Sequence, residues 1–379
     1  MKFRVDLNTH VIRNDVRVFV AAAGRNGQLY EMFERHSAVG PELPNLNLDL
    51  RNGLDNEPNL IAKINRGREI SKWAWSSAHG RSEAPSVDLK DYDNDKKKPG
   101  HAQIEGVVQR YFSTMLDGDV VVIPSKSFYG FAIIAELGPI VENSAVQMKG
   151  TGRYEGYSFE GRPFVHIRKV PMKAIPRRIV DISKTPSALA EISESRVLKS
   201  VLDLLYDEFV FDDQFSGRIQ TTKQEFGSFD NAVLNALVNV VAVNLEAIEA
   251  GNTKALISFD DAVFCLIDGE SPMLRIDIQS PGYMRIIARS ITPLVTTVLL
   301  SVLSQTAIAD VSDASEIVIE VVNGTAELQE LCSVPVGHMA QQLLNLMEDS
   351  EFERVCELVA KTVERTGART NIGVEVQDE

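Results

Sequence analysis

Trp73 and Trp75 are the only tryptophans of the chain, and Ser76 and Ser77 stand directly beside them. A second cluster, Ser125, Lys126, Ser127, Phe128 and Tyr129, again combines hydroxyls and rings with a cation. Such residues can read a nucleotide taken out of its stack: aromatic faces hold the planar base while hydroxyls bond to its edge. Two tryptophans separated by one residue share a side when they lie on a strand or loop. Lys126 and the basic stretch 162–178, with Arg162, Arg168, Lys169, Lys173, Arg177 and Arg178, supply cations for phosphates. Arg25 joins them within Gly24-Arg25-Asn26-Gly27, because a strand, a small-residue turn and a helix start present backbone N–H groups to an anion. The alternatives are core positions for both tryptophans and a plain β-to-α turn at 24–27.

Other chemistries find less support. Six histidines, His10, His36, His79, His101, His166 and His338, are scattered, and no Gly-x-Ser-x-Gly elbow accompanies them. HExxH, EF-hand and paired-cysteine patterns are absent, so neither a metal nor another cofactor is expected. Carboxylates cluster at Asp207, Glu208, Asp212 and Asp213 and at Asp260, Asp261, Asp268 and Glu270. A metal-dependent nuclease would need such groups on one cation with a lysine near the attacking water. Arg275-Ile276-Asp277-Ile278-Gln279 ends in glutamine where that lysine belongs, which favours surface or capping acids and a binder over an enzyme. Cys265, Cys332 and Cys356 show no CxxC spacing and are expected as small buried residues of a reducing compartment.

The 379 residues suffice for two domains, and charge divides them. Residues 1–185 carry 27 Lys and Arg against 22 Asp and Glu; residues 186–379 carry 12 against 31. A polyanion is attracted to the first half and repelled by the second. Met1 to Leu7 alternates like an opening strand and lacks the apolar core of a signal peptide, so a cytoplasmic protein is expected. Residues 291–309 carry no charge, but seven Ser, Thr or Gln and Pro293 point to a buried helix, with no membrane partner.

The elements that must position the candidate residues follow from periodicity. Residues 17–24 read as a buried strand, 28–35, 59–75 and 101–115 as helices, and 78–99 as an exposed loop. Gly118-Asp119 turns into the apolar strand 120–123, and a second apolar strand follows at 131–137; the pair is a buried hairpin at the heart of a small barrel or curled sheet. Strands are expected at 154–159 and 164–170, with Pro171, Pro176 and Pro186 closing a domain near residue 185. Beyond it the pattern predicts helices at 187–209, 231–250, 283–303, 327–347 and 351–365. It predicts strands at 262–267, 274–278, 316–322 and 370–376, with 211–227 irregular and Ser228-Phe229-Asp230 as a helix cap.

The order Val18-Phe19-Val20-Ala21-Ala22-Ala23-Gly24-Arg25-Asn26-Gly27, Gly118-Asp119-Val120-Val121-Val122-Ile123-Pro124 and Gly130-Phe131-Ala132-Ile133-Ile134-Ala135-Glu136-Leu137 resembles the N-terminal domain of Mrr-type restriction proteins. It is similar in turn to EVE, YTH and other PUA-like domains, small barrels that recognise modified bases in an aromatic pocket. The resemblance covers about residues 13–180, with Ala135-Glu136 where the family has Gly-Glu and a long insertion at 78–100. It implies an α+β protein: a PUA/EVE-like small β-barrel with helices in 1–185, followed by a mixed α/β domain in 186–379. DNA or RNA would bind the first, and the acidic second would mediate oligomerisation or coupling to a protein effector in a bacterial restriction or phage-defence system. Glu351-Phe352-Glu353 opens a stretch similar to the helix that introduces the nuclease domain of such proteins, but the 12 residues after Gly367 leave no room for the carboxylates and lysine that should follow. A metal-dependent nuclease and a protein-interaction module remain the alternatives.

Overall fold

A computed structural model of the chain describes residues 1–76, 82–94, 97–127, 129–140, 145–185, 188–223, 226–262, 272–277, 282–306, 314–323 and 333–377. The protein is α+β, and its contacts divide it into two units, Asp15–Leu205 and Met1–Asn14 with Tyr206–Glu379. The boundary expected near residue 185 therefore falls at 205/206, and the first 14 residues join the C-terminal unit. Two strands explain this. The opening strand β1 (Lys2–Asp6) and β2 (His10–Ile12) find their ladder partners in C-terminal residues, as described below. The charge asymmetry persists across the new boundary: 26 Lys and Arg against 24 Asp and Glu in Asp15–Leu205, 13 against 29 in the remainder.

The unit Asp15–Leu205 is built on β3 (Val18–Ala21), α1 (Tyr30–His36), β4 (Ala38–Val39), α2 (Leu60–Ala74), α3 (His101–Gln109), β5 (Val120–Ile123), β6 (Phe131–Leu137), β7 (Val146–Lys149), β8 (Ser158–Pro171), α4 (Arg177–Ser183), β9 (Leu189–Ile192) and α5 (Ser195–Leu205). Its sheet runs β4-β8-β6-β5-β3-β9, with β7 also on β8. Every residue of β3 and β5 is buried, as the unbroken runs of Val, Ile, Phe and Ala require of strands covered on both faces. The hairpin of β5 and β6 pairs Val120 with Glu136 through Ile123 with Ile133. In place of separate strands at 154–159 and 164–170 there is one 14-residue strand, β8, which starts only at Ser158 and is long enough to pair with β4, β6 and β7. The helix expected over 187–209 is shorter, because Leu189–Ile192 pairs antiparallel with β3 as an edge strand. At the β4–β8 crossing the backbones touch: a Cβ on Gly40 would collide with the Glu160 carbonyl oxygen.

The second unit completes two further sheets with β10 (Phe209–Phe211), β11 (Gln214–Thr221), β12 (Met273–Asp277), β13 (Gly282–Ala288), β14 (Val318–Val322) and β15 (Gly373–Gln377), and adds the helices α6 (Ser228–Glu249), α7 (Phe259–Ala262), α8 (Thr292–Thr306), α9 (Val334–Asn345) and α10 (Asp349–Thr366). One sheet is ordered β14-β1-β15 and the other β12-β13-β11-β10-β2. Two expectations fail here for one reason. The irregular 211–227 and the front of the helix at 283–303 are β11 and β13, which pair with each other over seven residues, and local periodicity cannot see a partner 60 residues away. Ala262 ends α7 instead of opening a strand, and residues 263–270 lie outside the described set. α6 starts at Ser228, and the Asp230 carboxylate caps it by accepting the Gly227 N–H at 2.8 Å. By length and composition α6 could cross a membrane, but it lies in the middle of this unit's apolar core with α8.

Replacing Gly40 by Ala is expected to cost about 1–3 kcal/mol through overpacking. Thermal unfolding followed by circular dichroism checks this, and an unchanged midpoint would show that the two strands have room to part.

Candidate functional site

β3 and β5 run parallel, with Val18 opposite Val120 and Val20 opposite Val122, so their C-terminal ends lie side by side. Past β3 the chain turns through Gly24, Asn26 and Gly27, with φ of 69°, 59° and 72°. A Cβ on Gly24 would also stand 2.7 Å from Leu29 Cγ, so only glycine fits there. Past β5 comes Pro124-Ser125-Lys126. Between these two segments and α4 is a hollow of about 740 Å³, large enough for an organic ligand.

Apolar atoms of Val20, Ala21, Ala23, Met172 and Ile175 line its inside, and Lys126, Lys173, Arg177 and Lys184 stand exposed around it. Asp181 answers two of these cations, Lys184 at 3.3 Å and Arg177 at 3.8 Å. Among the described residues Lys126 reaches the neutral Asn26 Oδ1, at 2.9 Å. No carboxylate pairs with Lys126 or Lys173 among the described residues. An apolar hollow with unneutralised lysines at its mouth suits an anion that carries an apolar or planar body.

The tryptophans lie elsewhere. Trp73 is in the last turn of α2 and Trp75 just past its end, so the two indoles leave the helix about 200° apart and do not share a side. Trp73 donates its indole N–H to Ser82 Oγ at 3.2 Å. Trp75 faces a second hollow, of about 460 Å³, which includes Arg25 and Glu42 but neither Ser125 nor Lys126. Its ring is flanked by the guanidinium carbons of Arg25 and Arg153, 5.5 and 5.1 Å from the centroid. Glu42 holds the indole in place. Its Oε1 accepts from Trp75 Nε1 at 2.9 Å and from the Tyr154 hydroxyl at 2.6 Å, and its Oε2 accepts the Arg25 N–H at 2.6 Å. Burial, reinforced by the Glu42 carboxylate, holds the Tyr154 hydroxyl protonated well above the ordinary phenol range.

The expected constellation is thus split by the 24–27 turn. Ser125, Lys126 and Arg177 belong to the first hollow, and Trp75 and Arg25 to the second. Arg168 bonds to the Leu204 carbonyl at 3.4 Å, Lys169 pairs with Glu34 at 2.6 Å and Arg178 with Glu194 at 2.9 Å; none of the three lines either hollow. Ser127 folds back to cap its own loop, where its Oγ accepts the Tyr129 N–H at 3.3 Å. Tyr129 is 94% exposed, and Phe128 lies outside the described residues. Lys184 was not singled out in the sequence, though Arg177, Asp181 and Lys184 recur at the spacing of one helical face.

Among the described residues the C-terminal carboxylates do not converge; Asp268 and Glu270 lie outside them. Asp207 pairs with Arg218 at 3.4 Å, Asp213 with Arg289 at 3.1 Å and Asp260 with Arg354 at 2.8 Å. Among the described residues no three His, Cys, Asp or Glu side chains gather as a metal site. No protein-family model matches this chain, and neither a curated protein nor a solved structure shows significant similarity to it.

Glu42→Ala would strand the Tyr154 hydroxyl and the Arg25 N–H and leave the Trp75 indole N–H only the Tyr154 oxygen, 3.0 Å away. A loss of about 1–3 kcal/mol of stability is expected, with a red shift of tryptophan emission as the Trp75 indole loosens; unchanged emission and melting would contradict the role given to Glu42.

Proposed function

We propose that Asp15–Leu205 is a PUA/EVE-like nucleic-acid-binding unit, and that the hollow at the ends of β3 and β5 receives a nucleobase withdrawn from its stack. One observation carries the reading: an apolar hollow between the 24–27 turn and the 124–126 loop, with Lys126 and Lys173 at its mouth and no carboxylate to neutralise them among the described residues. The apolar inside offers a base the contacts it loses on leaving its neighbours, Ser125 offers a hydroxyl to its edge, and the lysines meet the flanking phosphates. The fold adds support. The buried hairpin of β5 and β6, on which the resemblance to Mrr-type and EVE domains partly rests, lies beside β3 in an open sheet.

The excess of negative charge in the rest of the chain repels a polyanion, which assigns the contact to Asp15–Leu205 and leaves the acidic unit for assembly with itself or with an effector protein. Base-modification sensing within a bacterial restriction or phage-defence system is the biological setting this reading suits.

Fluorescence anisotropy with single- and double-stranded oligonucleotides, plain and base-modified, tests the proposal at two salt concentrations. Binding should weaken steeply with salt, and the double substitution Lys126→Ala with Lys173→Ala should weaken it at least tenfold and flatten the salt slope by roughly one per phosphate contact removed. Absence of binding to every nucleic acid at low salt would refute it.

A further inference from the structure

The second hollow, on the far side of the 24–27 turn, has a charge balance that the first function does not use. Along α2, Arg68, Ser71, Lys72 and Trp75 follow at the spacing that puts side chains on one helical face, and all four line this hollow with Arg25 and Lys98. Lys98 is neutralised by its ion pair with Glu69. Glu42 spends both its oxygens on Trp75, Tyr154 and the Arg25 backbone. Arg25, Arg68 and Lys72 therefore converge with no carboxylate paired to their side chains among the described residues.

Arg68 carries a further sign of a missing partner. Its Nη2 donates to the Pro99 carbonyl at 2.9 Å, while its Nη1 is buried with no hydrogen-bond acceptor among the described residues. A buried guanidinium N–H without an acceptor costs more than an ordinary hydrogen bond contributes, and a phosphate oxygen, met after a small turn of the side chain, would relieve it. The opposite wall is apolar, made of Leu43, Ile104 and Val107, and the volume of about 460 Å³ exceeds what a bare inorganic anion fills. The Arg25 guanidinium, backed by the Trp75 ring, adds a planar surface on which a flat ring can stack.

We propose that this hollow is a second, separate site for a nucleotide unit, with its phosphate held by Arg68 and Lys72 and its base laid between Arg25 and the Ile104 and Val107 wall. The unit can be a free nucleotide or one residue of a bound strand, since both present the same phosphate and base. The site rests on its own residues and holds whether or not the first hollow binds nucleic acid.

Calorimetric titration of the full chain with adenosine 5′-monophosphate, with inorganic phosphate and with a short single-stranded oligonucleotide tests it, using wild type, Arg68→Gln, Lys72→Ala and Lys126→Ala. The nucleoside monophosphate should bind at least tenfold more tightly than inorganic phosphate. Arg68→Gln and Lys72→Ala should each weaken it at least fivefold, while Lys126→Ala reports separately on any binding in the first hollow. Lys72 is exposed, so its variant reads binding even if the Arg68 variant unfolds. A matching loss of oligonucleotide affinity in the same two variants makes the ligand part of a strand; binding of the monophosphate alone makes it a free nucleotide, and both support the site. If neither ligand depends on Arg68 or Lys72, the proposal is overturned, and oligonucleotide binding that still depends on Lys126 would leave the first hollow's function standing.

Discussion

The site depends on one buried carboxylate. Asp119 has no exposed surface, and its oxygens accept from the Arg17 N–H at 3.1 Å, the Leu116 N–H at 2.8 Å and the Arg17 guanidinium at 2.6 Å. Arg17 and Asp119 are the residues just before β3 and β5. A parallel pair has no hairpin turn to set its register, and here nearly a hundred residues separate two strands of four. The Asp119 clasp ties the two strand starts together, and the register it sets brings the 24–27 turn and the 124–126 loop level at the other end. A buried acid is tolerable only with its hydrogen bonds made, and three donors meet that condition.

Arg162 holds the other side of the same turn. Nearly buried on β8, it donates to the Met115 carbonyl at 2.9 Å, the Gly138 carbonyl at 3.0 Å and Asp117 Oδ1 at 2.5 Å. Desolvation pulls its pKa below the usual arginine range, against the pull of Asp117 and Asp119. The Gly118-Asp119 turn is thus fixed by two bases, Arg17 just before β3 through Asp119 and Arg162 on β8. The lysines around the hollow contrast with this network: they are exposed and poorly neutralised. Charges that serve folding are paired and buried here, whereas the charges left over collect around two hollows.

Some of this was legible in the sequence. The hairpin of β5 and β6 and the helices α6 and α10 were plain because each writes its own pattern over consecutive residues: two short apolar runs beside a Gly-Asp turn, and long 3.6-residue stripes. β11, β13 and β9 were hidden because their stability comes from partners far along the chain, and Tyr283 to Ala288 reads equally as one face of a helix. The domain limit was hidden for a related reason, since nothing within Lys2–Asp6 says that Val318–Val322 will lie beside it. At the site, residue types were a better guide than grouping. Lys126, Arg177, Trp75 and Arg25 do line hollows, but a two-residue spacing groups the tryptophans only on a strand or loop, and the helix sends them apart.

Photo-crosslinking of a bromouridine-substituted oligonucleotide to the full chain, with the attached peptides mapped by mass spectrometry, tests the central claim most directly. Adducts within 24–27, 124–127 and 172–184 are the predicted result. Adducts confined to Tyr206–Glu379, or spread over the chain without enrichment in those three segments, would contradict it.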